Sequence, residues 1–244
     1  MDSNETPNAI TLPACWQSVD DTLRANLNRV LMYGGAGIGK TYTAQTSHIT
    51  SAGVFKIGCV EDMTTAQIEG MWKPSREGWE FHEGSAVKAW RTGGRLLIDE
   101  IDKASGEVLG SLLQFCDSEA SASWQHPDTG ETIKPAQGFT IVATTNSHPN
   151  ALAEALRDRF PVCIEINEAH PSAIALLPAW LQEPARQLCR STDDDRLSLR
   201  AFGAIAHLAQ TLGVSRAVEL VAPMHTETLT MAHAVSALAE AEVK

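Results

Sequence analysis

The residues with the clearest chemical potential form a glycine-rich loop early in the chain. An apolar run, residues 30–33, leads into it, and residues 42–46 can continue from it as a helix. Glycines let backbone N–H groups approach a polyphosphate closely, and a helix N-terminus adds a favourable dipole. The spacing therefore predicts a phosphate-binding loop made of Gly34, Gly35, Ala36, Gly37, Ile38, Gly39, Lys40, Thr41 and Tyr42.

Two side chains at the end of this loop have separate predicted roles. The Lys40 ammonium is expected against the β- and γ-phosphates, and the Thr41 hydroxyl is expected to complete a Mg²⁺ shell. The alternative is a glycine-rich turn that merely contains a lysine. The strand before the loop, the helix after it and a second motif count against that alternative.

The second motif is a pair of acids at the end of a buried strand. Residues 95–98 have the character of such a strand, and Asp99 and Glu100 follow directly. Strand ends present acids to the nucleotide in sheets of this type. We expect Asp99 to hold Mg²⁺, directly or through a water, and Glu100 to polarise the attacking water as general base. On its own, the pattern would also fit a solvated strand end.

Composition limits the class of protein. The chain has 244 residues, 43% of them hydrophobic, which suggests one large domain, or one domain together with a second, small domain. A net charge of -11 argues against broad non-specific binding to nucleic acid. Its five cysteines lack CxxC spacing, which favours a reducing, cytoplasmic location. With neither a signal peptide nor a long apolar run, no membrane partner is expected.

Strand patterns alternate with helical ones over the first two thirds of the chain. Two segments, residues 72–82 and 124–134, combine turn residues with aromatic side chains and predict β-hairpins. Further core strands are predicted at residues 53–58, 139–146 and 161–166.

Helical patterns occupy most of the remaining chain. Ser18 or Asp20 is the candidate cap of a first helix, and residues 62–70 and 151–157 predict short helices. Residues 174–189 contain two prolines and predict a broken helix. Apolar stripes in the last third are expected to form the core of a helical domain: Phe202, Ile205, Ala209 and Leu212, and Met231, Val235 and Leu238.

These patterns predict an α/β fold in two domains. Residues 1–166 form the α/β nucleotide-binding core, in which residues 1–15 are an N-terminal arm. Residues 167–244 form a small all-helical lid. Because carboxyl strand ends carry the polar motifs, we expect the chemistry to lie at one edge of the sheet.

The chain resembles an AAA+ ATPase and, within that group, the MoxR-like branch. Residues 34–41 match Walker A, residues 96–100 match Walker B, and Asn146 resembles sensor 1, which orients the attacking water. The segment 72–82 is similar to the helix-2 insertion of MoxR-like proteins, and the segment 124–134 resembles the pre-sensor-1 hairpin. The resemblance implies a P-loop AAA+ core with a parallel sheet flanked by helices, followed by a small helical lid.

The resemblance also implies roles for two arginines. Residues 155–160 resemble the arginine-finger segment, where the Asp-Arg-Phe pattern favours Arg159 and leaves Arg157 as the alternative. Arg216, at a helix start after a glycine and a serine, resembles sensor 2, with Arg200 as its rival.

The implied activity is Mg²⁺-dependent hydrolysis of ATP to ADP and phosphate, with ATP bound between core and lid. The family adds a homo-oligomeric ring, with a hexamer expected, and a protein partner that often carries a von Willebrand factor A domain. One alternative is a DNA-directed motor or loader, which the acidic balance disfavours. Another is a nucleotide-gated assembly protein, which the intact Glu100 disfavours.

Overall fold

The structure, a computed structural model, describes residues 12–25, 27–191 and 195–242; most of the predicted N-terminal arm lies outside them. Within those residues the strands are β1 (Arg29–Gly34), β2 (Val54–Gly58), β3 (Gly70–Ser75), β4 (Gly78–Glu83), β5 (Arg95–Asp99), β6 (Trp124–Gln125), β7 (Thr132–Ile133), β8 (Thr140–Thr145) and β9 (Val162–Ile166). The helices are α1 (Ala14–Arg24), α2 (Lys40–Thr46), α3 (Ser85–Thr92), α4 (Gly106–Phe115), α5 (Glu154–Arg157), α6 (Pro171–Ala175), α7 (Ala179–Leu188), α8 (Leu199–Leu212), α9 (Val214–Val221) and α10 (Thr226–Glu242).

Five strands form the central sheet, in the order β2-β5-β8-β1-β9. The pairs β1–β8, β5–β8 and β2–β5 are parallel. Their carboxyl ends therefore share one edge, which is where the predicted strand-end motifs lie. A parallel sheet flanked by helices and followed by a helical region is the P-loop AAA+ fold, so the predicted fold class is confirmed.

The central strands form around runs of apolar residues, although they also bury Arg29, Arg95 and three threonines of β8. All six residues of β8 are buried, as are the first four of β5 and of β1. Such buried, mainly apolar runs suit parallel strands that helices cover on both sides. Trp90 of α3 and Phe115 of α4, both fully buried and with ring centroids 4.6 Å apart, pack in the same core.

Both predicted hairpins are confirmed. Strands β3 and β4 pair antiparallel with Trp72 opposite Phe81 and Pro74 opposite Trp79. The second hairpin is shorter, since β6 and β7 contain two residues each and pair Trp124 with Ile133. The first is inserted between β2 and α3, and the second lies between α4 and β8.

The chain groups into two compact units. Among the described residues, one unit lies within 18–35 and 40–165 and includes most of the sheet, while the other lies within 12–17, 36–39 and 166–242. The second unit has a buried core of its own, formed by Leu181, Ala185, Phe202, Ile205, Ala217, Val218 and Leu229. Among the helices of the described ranges, none has the length and apolar character needed to cross a membrane.

Three predicted helix positions were wrong. Helix α1 begins at Ala14, ahead of the predicted cap, because Pro13 accepts the Gln17 N–H and Trp16 is buried with its indole N–H donating to the Glu168 carbonyl. Residues 62–70 contain only one 3₁₀ turn, since β3 already begins at Gly70. In the stretch 151–157 only α5 is α-helical.

The C-terminal helices bring two further results. The predicted break of residues 174–189 occurs at Pro178, between α6 and α7, whereas Pro184 lies inside α7. The predicted core stripe of α10 was wrong: Met231, Val235 and Leu238 are 67%, 62% and 68% exposed. A helical repeat of apolar residues marks one face of a helix but does not say whether that face is covered.

Candidate active site

The glycine-rich loop has a backbone that requires its glycines. Gly34, Gly37 and Gly39 have φ values of 134°, 69° and 112°, a region that side chains disfavour. A Cβ atom on Gly37 would come within 2.7 Å of the Ser198 Cβ atom. The Gly37 carbonyl also accepts the Leu199 N–H at 2.9 Å. Any side chain at position 37 would therefore be strained by both its φ value and its surroundings.

Lys40 is buried at the first position of α2 and brings two motifs together. Its side-chain Nζ donates to the carbonyls of Gly34 at 2.7 Å and Gly35 at 2.8 Å. It also donates to the Asn146 Oδ1 atom at 3.0 Å. The lysine of the loop and the asparagine after β8 thus meet at one point, as the two motifs require if both act on one phosphate group. Tyr42, two residues after Lys40 in the same turn, is 68% exposed.

Asp99 lies at the centre of the strand-end cluster. Its Oδ1 atom accepts from the hydroxyls of Thr41 at 2.7 Å and Thr144 at 2.5 Å, and its Oδ2 atom is 2.7 Å from the Lys56 Nζ atom. Burial opposes its ionisation, but hydrogen bonds from Lys56, Thr144 and Thr41 outweigh burial, so the pKa of Asp99 lies below its usual value. The carboxylate is held charged and in one orientation.

Glu100 has an unusual backbone for its residue type. Its φ of 56° and ψ of 47° are left-handed, a conformation that costs a non-glycine residue about 1–3 kcal/mol. Its backbone N–H donates to the Thr144 hydroxyl at 3.4 Å, and its side chain is exposed. The two neighbouring acids therefore differ in their surroundings, since Asp99 is partly buried and Glu100 is exposed.

Two residues of this cluster were not predicted. Lys56 comes from β2 and Thr144 from β8, the neighbours of β5 on either side. The order and register of the strands bring both to Asp99, and neither can be read from the local sequence.

The two candidate fingers differ in their surroundings. The Arg159 side chain donates through Nε to the Leu113 carbonyl at 3.0 Å and through Nη1 to the Ala155 carbonyl at 2.7 Å. Arg157 donates to the Asn150 Oδ1 atom at 3.2 Å and lines a surface cleft of about 560 Å³. Arg159 is thus held by backbone groups of its own unit, while Arg157 borders open space. The choice between them stays a prediction.

The two candidates for sensor 2 lie on successive helices. Arg216, in the first turn of α9, pairs with Glu219 at 2.7 Å and has a side chain that is 58% exposed. Arg200 is in the first turn of α8, directly after Leu199, whose N–H donates to Gly37 of the loop. A third arginine, Arg196, donates to the Ala36 carbonyl at 2.6 Å. The Arg216 assignment stays a prediction.

Comparisons with known proteins place the chain in a family. Residues 29–160, more than half of it, match the AAA domain of the dynein-related subfamily. Uncharacterized proteins of Staphylococcus epidermidis and Staphylococcus haemolyticus are 33% and 34% identical over 147 residues. Those stretches cover 57% and 56% of this chain, and in each case 55% of the relative. The chain therefore spans about half the length of these curated relatives.

Among solved structures, a proposed ATPase from Cytophaga hutchinsonii aligns with a TM-score of 0.46 and 16% identity, over 75% of this chain and 53% of its own. The family match is independent of that likeness. The chain belongs to the AAA domain family, dynein-related subfamily, and the prediction of an AAA+ ATPase with a nucleotide-binding domain is confirmed at that level.

Proposed function

We propose that this AAA+ chain is a Mg²⁺-dependent ATPase of the MoxR-like branch that remodels or activates a protein partner. One observation carries the proposal: at the carboxyl edge of the sheet, Lys40 is hydrogen-bonded to Asn146 at 3.0 Å, and the next residue, Thr41, is hydrogen-bonded to Asp99 at 2.7 Å. These four residue types neutralise phosphate, hold a metal and orient water in phosphoryl transfer.

The residues around Asp99 fit the metal that such a reaction needs. Thr41 Oγ1 and Asp99 Oδ1 are oxygen atoms 2.7 Å apart, and Mg²⁺ prefers a few protein oxygens together with waters and phosphates. Thr41 and Asp99 would hold the ion, which supplies charge neutralisation at the phosphates when bound. Glu100 then takes the proton of the attacking water, and Asn146 orients that water.

The two hairpins support the MoxR-like assignment and the protein partner. Strands β3 and β4 form an insertion whose Trp79 and Trp72 are 69% and 42% exposed, and Met71 beside them is 44% exposed. Exposed apolar side chains grouped on one element mark contact surfaces in soluble proteins. We assign the β3–β4 hairpin to contact with the protein partner, within a homo-oligomeric ring.

The test measures phosphate release from Mg²⁺-ATP by the whole chain, alone and with duplex or single-stranded DNA. We expect turnover in Mg²⁺ that chelation abolishes and that DNA leaves unchanged. Stimulation by DNA would favour a DNA-directed motor instead. Turnover that is equal in wild type and in Lys40→Ala would point to a contaminating ATPase. Glu77→Gln, in the exposed hairpin turn, is a matched control for Glu100→Gln and should hydrolyse at the wild-type rate.

A further inference from the structure

Lys56 reaches Asp99 from the neighbouring strand. In the register of β2 and β5, Gly58 lies opposite Asp99, and Lys56 is two residues earlier on the same face of β2. Gly58 has no side chain, and nothing lies within 4 Å of its Cβ position, so no side chain at position 58 separates Lys56 from Asp99. The resulting ion pair is 2.7 Å long, with side chains 40% and 19% exposed.

This ion pair completes the contacts of the Asp99 carboxylate. One oxygen receives the Thr41 and Thr144 hydroxyls, and the other faces the Lys56 ammonium. Only the Asp99 carboxylate group would thus separate a divalent ion held by Asp99 and Thr41 from the Lys56 ammonium. Lys56 lies on β2, whereas the glycine-rich loop follows β1, so the predicted phosphate binding by the loop gives Lys56 no role.

We propose that Lys56 is a positioning residue that acts as the built-in counter-ion of Asp99 and competes with Mg²⁺ for it. Before nucleotide binds, the ammonium holds the carboxylate toward Thr41 and makes the site a poor one for free divalent cations. With nucleotide, the phosphates add negative charge that outweighs the ammonium, so metal and nucleotide bind together. The role of nucleotide here depends on the proposed function, whereas the competition for Asp99 does not.

The size of the effect follows from Coulomb's law. An ammonium a few ångströms from a dication repels it strongly enough, even with solvent screening, to weaken binding by about tenfold or more. Removing the charge should therefore strengthen metal binding. If Lys56 only supported the strand, its replacement would have the opposite effect, because it would disorder Asp99 and weaken metal binding.

The experiment titrates Mn²⁺, a spectroscopic probe for the Mg²⁺ site, into the full chain with and without ADP. We expect Lys56→Met to bind Mn²⁺ about tenfold tighter than wild type in both conditions. Lys56→Arg should stay within about twofold of wild type because it keeps the charge. Lys88→Met, which removes an exposed charge on α3, should match wild type. The gain should vanish in Lys56→Met with Asp99→Asn.

Equal or weaker Mn²⁺ binding by Lys56→Met would overturn the proposal. Lys56→Gln gives a second neutral variant, and the melting temperature of each variant establishes whether it is folded. If no variant binds ATP, the proposed function fails, yet the titration without nucleotide still decides the role of Lys56. In active protein, the Mg²⁺ concentration for half-maximal turnover should fall by the same factor as the Mn²⁺ dissociation constant.

Discussion

The strand-end cluster and the β3–β4 hairpin both depart from the usual distribution of residues. The cluster buries polar side chains, whereas the hairpin exposes apolar ones. In the cluster, Lys40 at the start of α2 is 6% exposed and hydrogen-bonded to Gly34, Gly35 and Asn146. On the hairpin, Trp79 is 69% exposed. Buried polar groups with fixed partners are what electrostatic catalysis needs, since they need not reorganise during reaction. Exposed apolar groups on one element are typical of contact surfaces. The contrast therefore favours the strand-end cluster as the site of chemistry and the hairpin as the site of partner contact.

The hairpin nevertheless has a fixed base. Phe81 packs against Trp124 of the second hairpin with ring centroids 6.0 Å apart. Arg91 of α3 bonds Glu83 at the end of β4 at 2.6 Å and Glu131 of the second hairpin at 3.1 Å. The two hairpins are thus tied together through Phe81 and Glu83 at the base, whereas residues 71–80 are exposed. Changes at the base should act on stability, and changes at the tip on partner contact.

The largest expected effect tests whether the strand-end cluster is sufficient by itself. If a guanidinium from a neighbouring subunit completes the site, Arg159→Ala should lower ATP turnover by about 10³–10⁵ while ATP binding stays near wild type. Phosphate release at saturating ATP measures turnover, and titration with a fluorescent ATP analogue measures binding. Mixing Arg159→Ala with Lys40→Ala should restore some activity, provided that subunits exchange.

Arg157→Ala is the matched comparison for that measurement. Arg159 also donates to the Leu113 and Ala155 carbonyls, so its loss should lower the free energy of unfolding by about 1–3 kcal/mol as well. Full activity in Arg159→Ala together with lost activity in Arg157→Ala would move the finger to Arg157. Full activity in both variants, or full turnover by a dilute monomer, would contradict a shared site.

The next effect concerns Thr144, which serves both acids. Its hydroxyl donates to Asp99 and accepts the Glu100 N–H, so Thr144→Val removes one hydrogen bond from the Asp99 carboxylate and the acceptor of the Glu100 N–H. We expect a loss of about 1–3 kcal/mol in the free energy of unfolding, measured in urea, together with slower turnover. Thr140→Val, at the other end of the same buried strand, is the control and should leave turnover unchanged.

The pH dependence of stability gives a smaller effect at the same site. The pKa of Asp99 is lower in the folded chain than its ordinary value of 3.8, so ionised Asp99 favours the folded state. That stabilisation is complete above the ordinary value and is lost as the pH falls through the folded value. The difference in unfolding free energy between wild type and Asp99→Asn should therefore shrink below about pH 3.8. A constant difference down to pH 2 would contradict the assigned interactions.

The smallest effect belongs to the hairpin tip. Trp79→Ala should change the free energy of unfolding by less than about 0.5 kcal/mol and leave ATP turnover unchanged. Phe81→Ala should cost about 2 kcal/mol, less than the roughly 3–5 kcal/mol of a fully buried ring, because Phe81 is half-buried at the base. Urea unfolding of both variants is sufficient. A large loss in Trp79→Ala would show that the tip belongs to the core.

Secondary-structure elements were predicted from the sequence more accurately than contacts between residues that lie far apart in the chain. The buried strands and both hairpins could be predicted because apolar runs and turn residues act locally. Lys56 and Thr144 could not, since the register of β2, β5 and β8 brings them to Asp99 from other parts of the chain. Met231 in α10 shows the same limit, because periodicity identifies an apolar face without identifying what covers it.

The central claim is that one cluster binds ATP through Lys40 and hydrolyses it through Glu100. The most direct test measures ATP binding and phosphate release in wild type, Lys40→Ala and Glu100→Gln. We expect Lys40→Ala to lose binding, because Lys40 neutralises phosphate charge in both ground and transition states. Glu100→Gln should bind ATP like wild type and turn it over about 10²–10⁴ times more slowly. Full turnover by Glu100→Gln would contradict the account.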